Sequence, residues 1–273
     1  MSNLALRSIT AVFFVIIMVA TIMWSPISFA LFFLFVNNVG LHEFMAMQDK
    51  AGKRASKKLA FISGNIVFLV SMLVFLNVLD AEIIPLAGIA VFGIFIAELF
   101  RDKVRPFSNI AHTLTSVMYV SVPFSLFFFV SKFPLNEYNP YFVMSLVIMV
   151  WANDTFAYLV GRKLGKRKLF ERISPKKTIE GALGGLAGTI SAAVILSRFN
   201  PDTTVWFWVG LAVVVAVFFS IGDLVESLLK RSVDIKDSGN IMPGHGGLLD
   251  RFDGYLIGLP AVYVYLTLIP YFS

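Results

Sequence analysis

The sequence predicts an all-α, polytopic integral membrane protein with about nine transmembrane helices. Three observations carry that prediction. Of the 273 residues, 58% are hydrophobic and only 15% charged, whereas a soluble domain averages about 25% charged. Mean hydropathy is +0.80. Apolar stretches recur along the whole chain, each close to the length of about 20 residues that crosses a bilayer as a helix. Cysteine is absent, which removes disulfides and thiolate metal sites. The formal charge of +6 would suggest nucleic acid in a soluble protein. Here the surplus of Lys and Arg is topogenic, and no nucleic-acid partner is expected.

In chain order, the predicted spans are residues 5–24, 27–47, 59–79, 83–100, 110–131, 140–161, 178–198, 204–229 and 250–271. The first has only Arg7 on its flank and no evident small-residue cleavage site, so it reads as an uncleaved span and not as a signal peptide. Pro26, Pro85 and Pro140 stand at or near helix starts, where proline is tolerated. Pro123 is interior to the fifth span and predicts a kink there. The seventh span opens with Thr178 as N-cap and Glu180 in the first turn. Gly181, Gly184, Gly185 and Gly188 form overlapping GxxxG patterns, which predict close helix packing.

Orientation follows from the basic residues. All except Lys132 and Arg198 fall on one set of alternate segments. The positive-inside rule then places the N-terminus in the cytoplasm and, with nine spans, the C-terminus outside. Two regions are expected: an N-terminal transmembrane bundle (1–135, about five helices) and a C-terminal catalytic region (136–273, about four helices) with cytoplasmic loops 162–177 and 230–249.

Three polar clusters lie on the predicted cytoplasmic side. In the first, Asp154 stands about 12 Å inside the end of its helix. A carboxylate at that depth needs a metal, a cation or water; pairing with a neighbouring Arg is the plainer alternative. Ser174, Lys177 and Thr178 follow, at a helix N-terminus beside lysines, a setting suited to phosphate. In the second, Asp223, Glu226 and Lys230 share one helix face. A Glu226–Lys230 salt bridge accounts for two of them and leaves Asp223 unexplained. The third is PGHGG followed by LDRFDG. Asp250 and Asp253 are expected in the first turn of the last helix, facing Asp223. Converging carboxylates without cysteine fit an oxygen-ligated Mg²⁺, with Asp154, Asp223, Asp250 and Asp253 as candidate ligands and a second cation conceivable. Lys177, Lys230, Arg231, Lys236 and Arg251 are the candidate phosphate-holding cations. Gly244, His245, Gly246 and Gly247 form a backbone that a phosphate can approach. His42, Glu43 and Glu98, at span ends, read equally as interfacial or functional.

The run SLLKRSVDIKDSGNIMPGHGGLLDRFD, residues 227–253, resembles the signature of the phosphatidate cytidylyltransferase (CDP-diacylglycerol synthase) family: S-x-L-K-R, four residues, K-D, then P-G-H-G-G, two residues, D-R-x-D. Met242 is the one departure, standing where Leu, Ile or Phe is usual. The upstream D-T-x-A-Y-x-x-G-R-x-x-G-K and S-P-x-K-T-x-E-G segments are also similar to bacterial members. The specific match covers about residues 151–258; before it, only hydropathy agrees. The resemblance implies that CTP and phosphatidate give CDP-diacylglycerol and pyrophosphate with Mg²⁺. It also implies a homodimer in the cell inner (plasma) membrane, with an active site facing the cytoplasm. Catalytic roles would fall to Asp223, Asp250, Lys230, Arg251 and Lys177. A CTP-dependent lipid kinase and, in a different class, an ion-coupled transporter are the competing readings. Against the transporter, the charges gather at one membrane face and no inverted repeat is evident.

Overall fold

A computed structural model describes residues 3–52, 56–101, 105–200, 203–242, 244 and 246–268, with side chains from Ser8 onward. Lys53, Arg54, Lys103 and His245 lie outside the described residues. The fold is helical, as expected. Among the described residues, seven helices are long and apolar enough to cross a membrane, and two shorter apolar helices, Ser8–Trp24 and Asp253–Leu268, fall within the first and last predicted spans. The chain packs as two units.

The first unit comprises Met1–Phe129 and Ser232–Phe252. It contains α1 (Asn3–Trp24), α2 (Pro26–Lys50), α3 (Lys57–Phe75), α4 (Ile84–Leu99), α5 (Pro106–Ser116) and α6 (Val122–Val130), at whose end the second unit begins. Helix α2 starts where the sequence dictates. Ser25 accepts from the Ser28 amide (3.1 Å), the Ser28 hydroxyl accepts from the Ser25 amide (3.0 Å), and Pro26 follows. This reciprocal cap satisfies two amides that a helix start leaves orphaned. The interior is aromatic. Phe29 and Phe33 meet Phe127 edge-on at 5.3 and 4.9 Å. Phe252, at the end of the loop segment, inserts among Phe14, Phe32, Phe33 and Phe124. Helices α5 and α6 are joined by a π turn, Val117–Ser121, into one run over Pro106–Val130. Pro123 cannot donate to the carbonyl of Tyr119, and the wider turn before it absorbs that loss. Helix α4 exposes Ile89, Phe92 and Ile96, a surface suited to lipid.

The second unit comprises Val130–Arg231 and Asp253–Ser273: α7 (Pro140–Leu164), α8 (Ile179–Ser197), α9 (Val205–Ser232) and α10 (Asp253–Leu268). Between α7 and α8 the chain forms an antiparallel hairpin, β1 (Lys168–Phe170) and β2 (Ser174–Thr178), with Lys168 opposite Thr178 and Phe170 opposite Ser174. The hairpin was not expected; the basic residues that mark this stretch as a loop mask a short strand pair. Thr178 caps α8 as predicted, accepting from the Gly181 amide at 3.1 Å. The small-residue pattern places α8 against α7. A Cβ on Gly184 would stand 2.5 Å from Val160, and one on Gly188 would stand 2.4 Å from the Phe156 ring.

The last helix starts later than the sequence suggests. Leu249–Arg251 is a 3₁₀ turn, closed by Arg251 N–H to Leu248 (3.0 Å) and Phe252 N–H to Leu249 (2.9 Å). Asp253 opens α10. Asp250 therefore belongs to the loop and not to the first turn of that helix.

Candidate active site

In the second unit, four elements contribute to a charged cluster. Asp154 projects from α7, Lys177 from β2, Asp223 and Lys230 from α9, and Asp253 from the start of α10. Lys177 Nζ pairs with Asp223 Oδ2, and both side chains remain about one-third exposed. Ser227, one turn beyond Asp223, donates to its Oδ1 at 3.3 Å. Asp154 lies within electrostatic reach of Asp223 and Lys177. Asp253 is in reach of Asp223, Asp154 and Lys230. Among the described residues, the cation acting on Asp154 is thus Lys177 and not an arginine. Lys230 also bonds Glu226 at 3.3 Å on a fully buried carboxylate, as the spacing predicted. Asn153, buried beside Asp154, donates to Ser220 at 3.1 Å and ties α7 to α9 next to the cluster.

The hairpin holds the rest. Lys168 Nζ bonds the Pro175 carbonyl at 2.6 Å. Glu180 accepts from the amides of Lys166 (2.9 Å) and Arg167 (3.1 Å). These bonds close the strand pair over the start of α8 and fix the backbone on either side of Lys177. Ser174 begins β2, and the Thr178 oxygen is occupied as the helix cap. Arg231 is exposed.

The loop 232–252 carries the remaining candidates and belongs to the first unit. Lys236 and Arg251 are exposed. Gly244 and Gly246 adopt φ of 76° and 84°, a left-handed conformation that glycine reaches at no steric cost. Met242 pairs with Gly246 across the turn between them (3.0 Å). Asp250 Oδ2 accepts from the amides of Ser238 (2.9 Å) and Gly247 (2.8 Å), and the Ser238 hydroxyl stands 3.0 Å away.

Sequence reasoning did not single out Ser238, and it left the group beneath it, Glu43, equally interfacial or functional. Glu43 of α2, 4% exposed, reaches into this loop and accepts from the Leu248 amide at 3.0 Å, the Leu249 amide at 2.8 Å and the Ser238 hydroxyl at 3.0 Å. The available signal was a carboxylate in an apolar helix, a costly placement unless it has partners.

Among the described residues, no three His, Asp or Glu side chains close into a ready-made cation cage. The donor set of the second unit still suits a hard cation. Asp154, Asp223 and Asp253 repel one another, all their donors are oxygen, and Mg²⁺ characteristically takes one or two carboxylates and completes its shell with water and substrate phosphate.

Comparison with known proteins gives the family. The pattern of the Cytidylyltransferase family matches residues 5–269. A protein from Bacillus subtilis (strain 168) named phosphatidate cytidylyltransferase is 31% identical over 278 residues, covering 98% of this chain and 99% of its own length. Proteins of the same name from Staphylococcus aureus (strain COL) and Staphylococcus epidermidis (strain ATCC 35984 and its synonyms) are 39% and 38% identical. They cover 59% and 68% of this chain and 60% and 70% of their own lengths. With the pattern running nearly end to end and the polar clusters lying inside it, the chain belongs to the cytidylyltransferase family.

Proposed function

We propose that this protein is a phosphatidate cytidylyltransferase, which makes CDP-diacylglycerol and pyrophosphate from CTP and phosphatidate. The observation that carries this reading is the end-to-end similarity to a relative of that name. The joint presence of clustered carboxylates and phosphate-binding cations supports it. A phosphate oxygen of phosphatidate attacks the α-phosphorus of CTP. A new P–O bond forms, the bond to the oxygen bridging the α- and β-phosphorus breaks, and pyrophosphate leaves with that electron pair. The attacking phosphate is already anionic, so no residue must take a proton from it. The obstacle is repulsion between two polyanions, and catalysis is positioning plus charge neutralisation.

Lys177, Lys230, Arg231, Lys236 and Arg251 are assigned to the phosphates. Ser174, Thr178 and the backbone of Gly244, His245, Gly246 and Gly247 are assigned to hydrogen bonds that orient them. Lys177 starts from a defined position, because Asp223 holds its ammonium. Asp154, Asp223, Asp253 and Asp250 are the candidate Mg²⁺ ligands, and the surplus of carboxylates leaves room for a second cation. The bound metal would supply charge neutralisation on the phosphate oxygens. The cytoplasmic face of the inner membrane suits the reaction, since the lipid headgroup lies there and CTP arrives from the cytosol. Nine spans, an N-terminus inside, a C-terminus outside and a homodimer complete the proposal.

The test is a product assay on the purified protein with α-labelled CTP and phosphatidate. Label should enter a CDP-lipid with one pyrophosphate released per turnover, and chelation of divalent cations should abolish it. Release of CDP with a newly phosphorylated lipid would make the protein a lipid kinase and overturn the assignment.

A further inference from the structure

We infer that Glu43 is a positioning residue: from the N-terminal helix bundle it shapes the glycine-rich loop 238–250 that the reaction uses. The inference rests on the proposed cytidylyltransferase reading. Its physical basis is the company Glu43 keeps. A carboxylate 4% exposed needs donors or a cation. Among the described residues it has no ion pair. Instead, both its oxygens are met by the loop, Oε1 by the Leu248 amide and Oε2 by the Leu249 amide and the Ser238 hydroxyl. Asp250 Oδ2 gathers the Ser238 and Gly247 amides and approaches the same hydroxyl. Ser238 has one hydroxyl hydrogen and two carboxylate oxygens at 3.0 Å, so the serine links Glu43 to Asp250. The conformation of the loop backbone on both sides of Gly244 therefore depends on a side chain about two hundred residues earlier in the chain.

Two glycines of the loop take their meaning from this contact. A Cβ on Gly239 would lie 2.4 Å from Glu43 Oε1. One on Gly247 would lie 2.5 Å from Oε2 and 2.0 Å from the Ser238 hydroxyl oxygen. Neither has the positive φ of Gly244 and Gly246, so what these two positions require is space. Gly239 and Gly247 make room for a carboxylate of the protein itself, while Gly244 and Gly246 supply the turn.

The experiment uses the purified full chain and reads two quantities, backbone hydrogen exchange by peptide and CTP-dependent turnover. Glu43→Gln keeps the shape but offers one acceptor oxygen where two are used, and it turns an amide N–H₂ toward backbone donors. Exchange of peptides covering 238–250 should rise about tenfold, with those of α7 and α8 unchanged, and kcat/KM for CTP should fall about tenfold, the size expected when a buried charged hydrogen bond is lost. Gly247→Ala should reproduce both changes without touching α2. Wild-type exchange across 238–250 in Glu43→Gln would overturn the inference. So would faster exchange there with unchanged turnover, or loosening spread evenly over both units. If Glu43→Gln does not insert, Gly247→Ala and Ser238→Ala decide: loop-restricted exchange with lost turnover supports the inference, and wild-type behaviour of both overturns it. A wild-type protein that protects the loop yet makes no CDP-lipid would sink the proposed function and leave the Glu43 contact standing.

Discussion

Asp223 and Lys177 do opposite things to the charge around them, and that makes them separable by experiment. Asp223 is one of three mutually repelling carboxylates, and Lys177 is its direct cation. Asp223→Asn relieves repulsion on Asp154 and Asp253, so thermal stability of the membrane-inserted protein should stay level or rise, while turnover falls on the order of 10²-fold. Lys177→Met leaves three carboxylates without that ammonium, so turnover and stability should fall together. Parallel measurement of melting and CTP turnover checks this; wild-type turnover in Asp223→Asn would remove the residue from the proposed machinery. Asp154, Asp223, Asp253 and Lys177 were all legible in the sequence, because a charge inside an apolar helix or beside a helix start has few bland explanations. Glu43 was legible only as a span-end carboxylate, interfacial or functional alike, because its partners are backbone amides about two hundred residues away, and amides leave no residue-type signature. Asp250 was legible as a polar position, but the turn that holds it was not. The i to i+3 bonds that end at Phe252 depend on Phe252 being seated among four other aromatic rings.

Helices α7 and α8 pack through glycine, and that contact stands directly behind the carboxylate cluster. Gly185 approaches Asn153, whose amide reaches Ser220, so the spacing of α7 from α8 also sets where Asp154 begins. The spacing pattern predicted close packing of α8, though not that α7 is the helix it meets. It did not show the β hairpin between the two helices, whose register depends on Glu180 reaching back to the Lys166 and Arg167 amides. A tight glycine site and an open one should respond differently to an added side chain. Gly188→Val forces a side chain into the Phe156 ring and should cost about 1–3 kcal/mol, the usual penalty for overpacking. Gly93→Ala on α4 meets nothing within 4 Å and should be neutral or stabilising by up to about 1 kcal/mol, the helix-propensity gain of alanine over glycine. Reversible unfolding in mixed micelles measures both. Equal losses at the two sites would mean that the α7–α8 approach is not the tight contact.

Across the membrane, the proposed orientation makes one sharp demand. Everything assigned to CTP must lie on the side that holds the basic residues, and the segment carrying Lys132 must lie on the other. The absence of cysteine makes this directly measurable, because any introduced thiol is the sole target of a maleimide. Glu137 and Glu171 are both exposed, and α7 alone spans the sequence between their loops. A single crossing therefore separates them if the basic-residue asymmetry sets the topology. In intact spheroplasts a membrane-impermeant maleimide should label Glu137→Cys and leave Glu171→Cys untouched until the membrane is opened. Lys132→Ala should meanwhile keep turnover near wild type, since the proposed topology puts its charge on the far side from CTP. Labelling of Glu171→Cys in sealed cells would invert the topology and place the lysine-rich hairpin, with Lys177, where no CTP is available. The proposed reaction could not survive that result, whereas the helical fold and the Glu43 contact would be unaffected by it.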